Sequence, residues 1–518
     1  MLVQHPQTHG TLILRRDRSG HLMAYGPENM ALGYSVSSAA DPHVGDSEAD
    51  QHRKGGVWAR WAWNGSTLTV TNDRFGFLPI YFAELPDGFV VSTSIPEILG
   101  AGVSATLNDA AIAVFLRLGY YVGNDTPFAS IRLLPPCSRL TWNGAGCHLT
   151  QSAPAIPGQQ STLSRADAVR LYGERFQHAV EAMLPQRESK MCVPLSAGRD
   201  SRHILYALVR AGRNPEQVIT ARSAPPRPST DAEMAARITA SLQLPHTIIE
   251  QSDDRFADEI EKDLLTGFCA DEHAQMVPVA RWLNENAIDV SWDGIAGDIV
   301  SCGVYNDSGL LEQFRHRRFD ALSSFLLADE GYLNGALSDA AYRRWNRGLA
   351  IDRLSQELAL YADLPNPVAP FFFFNRVRRE LALCPFGMLN QRTQILAPYL
   401  DHDLFDLLID LPFEYFKGRQ FHSEAIDQFY PELPKFDYVS SPTGSVPERR
   451  SRIWRFAGRM ATYSLQSEGR SPWVRRSFLL PRLAKAMLNS EFGTEVPVLF
   501  SRLLVMLHLE NALRKSSC

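Results

Sequence analysis

The sequence predicts an α/β protein with a β-rich front domain, and three observations carry that reading. Residues from Gly10 to about Thr150 hold short apolar runs broken by turn residues, whereas residues after Arg165 alternate helix with apolar strand. Between Gln151 and Ser164 the composition turns to Ser, Gln, Pro and Gly, as in a connector. A chain of 518 residues is long enough for two ordinary domains, and we place them at 1–155 and 165–518.

In the front part the strands read from TLILRR, VWARWAWNGSTLTVTNDR, LPIYFAELPDGFVVSTS and SRLTWNGAGCHLT. Asn64-Gly65 and Asp87-Gly88 lie between alternating runs, where they are expected to supply the positive φ of two tight hairpins. In the back part the strand MCVPLS, the helix SRHILYALVRAG, the strand VITARS, the helix DAEMAARITASLQL and the strand HTIIE follow in turn, the pattern of a parallel sheet. The remainder to Cys518 is helical by periodicity, as in ARWLNEN, LFDLLIDL and SRLLVMLHLENAL.

Apolar residues make up 45%, charged ones 21%, and the net charge is −5, which speaks against a disordered tail protein and a nucleic-acid scaffold. The start MLVQHPQTHG has no basic stretch leading into an apolar one, and no run of about 18 uncharged apolar residues follows. A cytoplasmic protein with no membrane or nucleic-acid partner is expected. The seven cysteines (137, 147, 192, 269, 302, 384 and 518) are odd in number and lack CxxC spacing, so reduced structural thiols are expected.

The most informative stretch is Val193-Pro-Leu-Ser-Ala-Gly-Arg-Asp-Ser-Arg-His203. An apolar strand runs into a small-residue turn, and a helix opens at Asp200 or Ser201. In an open α/β sheet such a turn lies where ligands bind. Ser196, Ala197 and Gly198 keep backbone N–H groups accessible to phosphate oxygens. Asp200 beside phosphates implies a bridging hard cation. An ordinary helix N-cap reads equally well from the spacing alone.

SAGRDS at 196–201 resembles the Ser-Gly-Gly-x-Asp-Ser pyrophosphatase loop of the asparagine synthetase family, with Ala197 at the first glycine. A turn with negative φ accepts that methyl and one with positive φ resists it. Further matches follow in the family's order: Asn72-Asp-Arg-Phe-Gly-Phe-Leu-Pro-Ile-Tyr81, Ser92-Thr-Ser94 with Glu97, Leu116 to Pro136, Asp293-Gly-Ile-Ala-Gly-Asp298 where the family has Ser-Gly-Asp-Gly-Gly-Asp, and Leu396-Ala-Pro-Tyr-Leu-Asp-His402. The resemblance implies a degenerate glutaminase-like N-terminal-nucleophile domain followed by an ATP pyrophosphatase synthetase domain. It implies contacts to ATP and its pyrophosphate from Leu195, Ser196, Gly198, Asp200, Ser201, Ser223 and Asp298, with magnesium on Asp200 and Asp298. Lys435 in YPELPKFDYVSS stands in for the family's phosphate-contacting lysine, against the plain reading of a solvated surface lysine.

The chain also departs from the family. Glutamine-hydrolysing members begin Met-Cys, and this sequence reads Met1-Leu2 with no cysteine before Cys137, so glutamine hydrolysis is not expected. Gln394 stands where the family has a glutamate, and an amide cannot take a proton from an attacking amine. Arg376, Arg378 and Arg379 form a basic cluster outside the pattern. Helical spacing puts Arg376 and Arg379 on one face, where they bind an acidic substrate or nucleotide, or else simply pair with Glu380. Arg376 joins Lys435 as a catalytic candidate. Arg199, Arg202 and His203 make the mouth of the loop basic, unless exposure alone explains them.

The reaction implied is adenylation of a carboxylate by ATP and transfer of the acyl group to ammonia or an amine. The carboxylate is a small molecule or a peptide, since β-lactam synthetases and lasso-peptide cyclases share this domain plan. A homodimer is left open. A nucleotide-binding module without turnover is the competing reading, favoured by Ala197 and Gln394 and opposed by Asp200 and Asp298.

Overall fold

The structure, a computed structural model, describes residues 2–5, 7–36, 55–151, 156, 160–305, 307–327, 329–438, 444–466 and 472–516. Much of the Ser/Gln/Pro/Gly connector, together with Met1 and Cys518, lies outside the described residues.

The front part is two antiparallel sheets. The first has the order β1 (Leu2–Gln4), β4 (Asn29–Val36), β5 (Gly55–Trp63), β6 (Leu68–Asn72), β10 (Ser138–Trp142) and β11 (Cys147–Gln151). The second runs β3 (Leu22–Tyr25), β2 (Thr11–Arg16), β8 (Gly88–Ser92), β7 (Tyr81–Leu85) and β9 (Arg132–Leu133). Their inner faces share one core, and Phe89 of β8 stacks on Trp142 of β10 with centroids 5.5 Å apart.

The two expected hairpins form, by different means. Gly65 has φ +89°, and Asn64 Oδ1 accepts the N–H groups of Ser66 (3.0 Å) and Thr67 (2.8 Å), closing the β5–β6 turn. Between β7 and β8 the turn residues are Pro86 and Asp87, because Leu85 pairs directly with Gly88. Gly88 does not have positive φ, contrary to expectation. It is required for another reason: a Cβ there would lie 1.8 Å from the Leu14 carbonyl oxygen of the neighbouring β2.

The back part holds a five-stranded parallel sheet in the order β14 (His246–Ile249), β13 (Gln217–Ala221), β12 (Met191–Pro194), β15 (Val290–Trp292) and β16 (Gln394–Leu396). Cys192, Val193, Val218 and Val290 are fully buried, as the apolar runs predict for strands covered on both faces. From central β12 the chain winds one way through β13 and β14, then crosses to β15 and β16 on the other side. That reversal leaves a crevice at the carboxyl ends of β12 and β15, where doubly wound sheets bind ligands. Among the described residues no single helix is long and apolar enough to cross a membrane.

The DRFG segment is a turn after β6 rather than strand, and it fastens the two parts together. Asp73 accepts the N–H groups of Phe75 (2.8 Å), Gly76 (2.9 Å) and Trp58 (3.0 Å). Arg74 then pairs with Asp406 at 2.6 Å, and Phe75 packs on Phe373 and Phe405. From the other side, Arg378 donates to the carbonyls of Gly76 (3.0 Å), Gly123 (3.3 Å) and Leu134 (2.9 Å), and Arg379 to that of Asp125. These two arginines therefore hold the front part and do not face the crevice loops. Phe373–Leu381 is a π-helix, whose longer turn takes residues three apart off a common face, so Arg376 and Arg379 diverge.

Candidate functional site

Two loops meet at the crevice. After β12 the chain passes Leu195, whose N–H bonds the Ile219 carbonyl at 2.8 Å, and a helix begins at Asp200 and runs to Arg210. Ser196 N–H donates to Ser201 Oγ (3.0 Å), Gly198 N–H to Ser196 Oγ (3.1 Å), and the two hydroxyls lie 3.2 Å apart. Ala197 is fully buried and does not have positive φ, so the extra methyl brings no backbone strain. Its N–H donates to Asp231 Oδ1 at 2.8 Å. The residue at the N-cap position is Arg199, without a side-chain cap bond, and Asp200 is the first helical residue. Capping is not what Asp200 does.

After β15 the second loop runs Asp293 to Asp298. Asp293 Oδ1 accepts the Ile295 N–H at 2.8 Å, Ala296 takes φ +73°, and a short helix spans Gly297–Val300. The loop lies directly on Asp200. A Cβ on Gly294 would sit 2.8 Å from Asp200 Cβ, and one on Gly297 would sit 2.6 Å from Asp200 Cγ. Glycine at both positions lets the loop approach so closely.

This closeness sets the electrostatics. Burial, and after it the charge of Asp298, hold the Asp200 carboxyl well above the usual carboxylate range; Arg199 opposes this and Asp293 adds to it. The Asp298 carboxyl is raised by burial too, with the Ile299 N–H and the Arg376 charge working the other way. Burial also lifts Asp293 to about 6. The Asp200 side chain keeps 26% of its exposure, so one side remains open. Two neighbouring carboxyls that ionise reluctantly form a hard-oxygen donor set that a divalent cation would relieve, and the residues therefore fit magnesium.

The other expected residues lie at different distances from this centre. Ser223 follows β13 and lines a cleft of about 630 Å³ with Arg222, Arg227, Glu250, Arg449 and Arg452. Arg376 stacks over Tyr120 at 5.2 Å and pairs with Glu380 and Glu272, while its charge reaches Asp298. Lys435 is exposed, although the chain beside it packs on the Asp200 helix: Arg202 donates to the Phe436 carbonyl (2.6 Å) and stacks on Tyr438 at 4.2 Å. Gln394 is buried in β16 and its amide donates to the Ile395 carbonyl at 3.4 Å. Arg202 and His203 are buried and not surface residues of the loop mouth, because the Asp200 helix turns them inward. Sequence reading missed His422, Tyr399 and Cys302 as neighbours of Asp200; only their juxtaposition in the fold marks them.

Comparison with known families matches residues 171–379 to asparagine synthase and 43–152 to a glutamine amidotransferase domain. The first range contains both crevice loops, and the two domains occur in the order read from the motifs. The chain thus carries an asparagine synthase domain behind a glutamine amidotransferase domain. Gln394 and Lys435, two of the positions where the family pattern is broken or loosely followed, lie beyond the matched asparagine synthase range. No curated protein is significantly similar to the chain. Among solved structures, the allosteric regulatory enzyme of purine biosynthesis shares 11% identity over 45% of this chain and 62% of its own, with a TM-score of 0.18. The glutamine phosphoribosylpyrophosphate amidotransferase from B. subtilis, complexed with ADP and GMP, shares 11% over 46% and 62%, also at 0.18. The chain thus spans 62% of the length of these solved chains.

Proposed function

We propose that this chain, with its asparagine synthase domain, is an ATP-dependent, AMP-forming carbon–nitrogen ligase that works without hydrolysing glutamine, in a cytoplasmic setting. The observation that carries the reading is the meeting of Asp200 and Asp298 across the switch point of the parallel sheet, beside a loop of small residues. A substrate carboxylate oxygen attacks the α-phosphorus of ATP, the bond to the bridging oxygen breaks, and pyrophosphate leaves with the electron pair. Ammonia or an amine then attacks the acyl carbon and AMP leaves.

In this scheme the hydroxyls of Ser196 and Ser201 and the Gly198 N–H, which already bond one another, turn to the pyrophosphate oxygens. Leu195 and Ser223 place backbone at the adenosine side. Asp200 and Asp298 would hold magnesium, which supplies charge neutralisation at the leaving group. Arg376, restrained by Glu380 and Glu272, keeps a positive charge near Asp298 and the incoming carboxylate. Because Gln394 cannot act as a base, the attacking nitrogen must arrive as a free amine or lose its proton elsewhere.

The test is pyrophosphate release by the purified chain with ATP, magnesium and a panel of aspartate, β-amino acids and linear peptides. Carboxylate-dependent release with at least one of these, and no glutamate formed from glutamine, is the expected result. ATP binding without release for any carboxylate would leave the non-catalytic module as the better reading.

A further inference from the structure

Behind the two loops one imidazole nitrogen is crowded. His422 Nδ1 lies 2.9 Å from Ser301 Oγ, 3.2 Å from Cys302 Sγ and 3.3 Å from Asp200 Oδ1. A ring nitrogen carries one proton or one lone pair, so it serves one good hydrogen bond and not three. Asp200 Oδ1 is buried and makes no hydrogen bond, a costly state for a carboxylate oxygen. The crowding is that of ligands around an ion: a carboxylate oxygen of Asp200, Cys302 Sγ and a ring nitrogen of His422 all lie within 4.8 Å of one another.

The spacing is also metric. Bonds of about 2.0–2.1 Å to nitrogen or oxygen and about 2.3 Å to sulfur in tetrahedral geometry put ligand atoms roughly 3.3–3.6 Å apart. The nitrogen–oxygen separation of 3.3 Å is of that size, and the nitrogen–sulfur separation of 3.2 Å is a few tenths of an ångström shorter. We propose that Asp200, Cys302 and His422 form a transition-metal site of the zinc class, with Ser301 Oγ or a solvent oxygen in the fourth position. A thiolate and an imidazole select such a cation over magnesium, which prefers oxygen ligands.

The outer shell fits the same assignment. With Nδ1 on a metal, His422 Nε2 carries the proton, and it faces Tyr399 Oη and His203 Nδ1, each at 3.1 Å and each buried. Such a second partner is what fixes the ring of a ligating histidine. Asp200 is then a shared carboxylate, its inner oxygen on this ion and its outer side toward the crevice. The ion would lock the orientation of the residue on which the two loops converge. The inference does not depend on the ligase reading, since it rests on ligand geometry alone.

The experiment is a titration of the full chain, stripped with chelator, with cobalt(II) and no ATP or magnesium present. Expected are one equivalent bound, a thiolate-to-cobalt band in the near ultraviolet, and displacement by zinc. Cys302→Ser should remove the band, and His422→Gln should weaken binding by about 10²-fold or more, since even outer-shell losses cost 10–100-fold. Tyr399→Phe should weaken binding by about 10–100-fold while the band persists. Should Cys302→Ser not fold, Cys302→Ala provides the same readout. Failure of the parent chain to bind one equivalent would overturn the proposal, as would a spectrum unchanged in both Cys302 variants. Pyrophosphate release, measured separately with magnesium, decides the ligase reading whatever cobalt does.

Discussion

The two loops that close on Asp200 each carry alanine where the asparagine synthetase pattern has glycine, and the backbone treats the two methyls differently. Ala197 lies in the first loop without positive φ, and its Cβ is absorbed into the core. Ala296 lies in the second at φ +73°, a conformation that costs a non-glycine residue about 1–2 kcal/mol. The two glycines kept nearby, Gly294 and Gly297, are those whose Cβ would strike Asp200. The family pattern has glycine at all four positions and does not say why. The structure separates a glycine needed for close approach from one whose replacement costs strain and one whose replacement costs nothing.

The hardest test of that separation is Gly297→Ala. Its Cβ would meet Asp200 Cγ and Oδ1 at 2.6 Å and Tyr399 Cε2 at 2.9 Å, so the carboxylate must swing away. We expect about 1–3 kcal/mol of destabilisation from overpacking, together with about 10²-fold loss of pyrophosphate release from a misplaced ligand. A variant with parental stability and activity would show that the loops do not need to touch.

Asp200→Asn removes charge and leaves shape. Because Asp200 is not the cap of its helix, folding should be unaffected or slightly improved by the loss of a buried charge beside Asp298. The rate of adenylation should fall by at least about 10²-fold. Unchanged pyrophosphate release alongside an unchanged melting temperature would remove the metal role from Asp200.

Much of this arrangement was legible in the sequence, and the rest was hidden for a physical reason. The strand–turn–helix at 191–210 is a local signal, with apolar run, small residues and amphipathic helix adjacent in the chain, and the parallel sheet follows from repeating it. The turn at Asp87-Gly88 was misread because the atom that demands glycine there belongs to Leu14, on a strand far away in sequence. Arg378 and Arg379 look like a binding cluster because arginines out of context do; their partners at Gly76, Gly123, Leu134 and Asp125 lie 244 to 302 residues away. His422 and Cys302 carried no spacing signal, being 120 residues apart. What distinguishes them is contact with a residue that a local motif had already marked.

Asp293 offers a milder test of how charge is distributed between the loops. Its carboxyl is raised from the ordinary 3.8 to about 6, so between these values the folded chain holds a proton that the unfolded chain has released. Stability from this group is therefore full below about pH 4 and declines as pH rises toward 6. Asp293→Asn keeps an oxygen for the Ile295 N–H and abolishes the charge. In chelator, the variant should be more stable than the parent by about 2–3 kcal/mol at pH 7.5 and equal to it at pH 4, by urea unfolding. A difference that does not change with pH would mean that the carboxyl is not strained.

The smallest effects come from restoring the two glycines, and they bear most directly on the comparison. Ala296→Gly relieves a left-handed alanine, a gain of about 1–2 kcal/mol, but gives the unfolded chain more freedom, a loss of about 0.4–1 kcal/mol. The net should be a stabilisation of roughly 0.5–1 kcal/mol. Ala197→Gly has no strain to relieve. It surrenders the same unfolded-state term and a buried methyl worth about 0.8 kcal/mol, so it should destabilise by about 1–2 kcal/mol. Identical exchanges a short distance apart should thus move the urea midpoint in opposite directions. If both shifted it the same way, the φ assigned to one of the two alanines would be wrong, and with it the account of how the two loops tolerate each replacement.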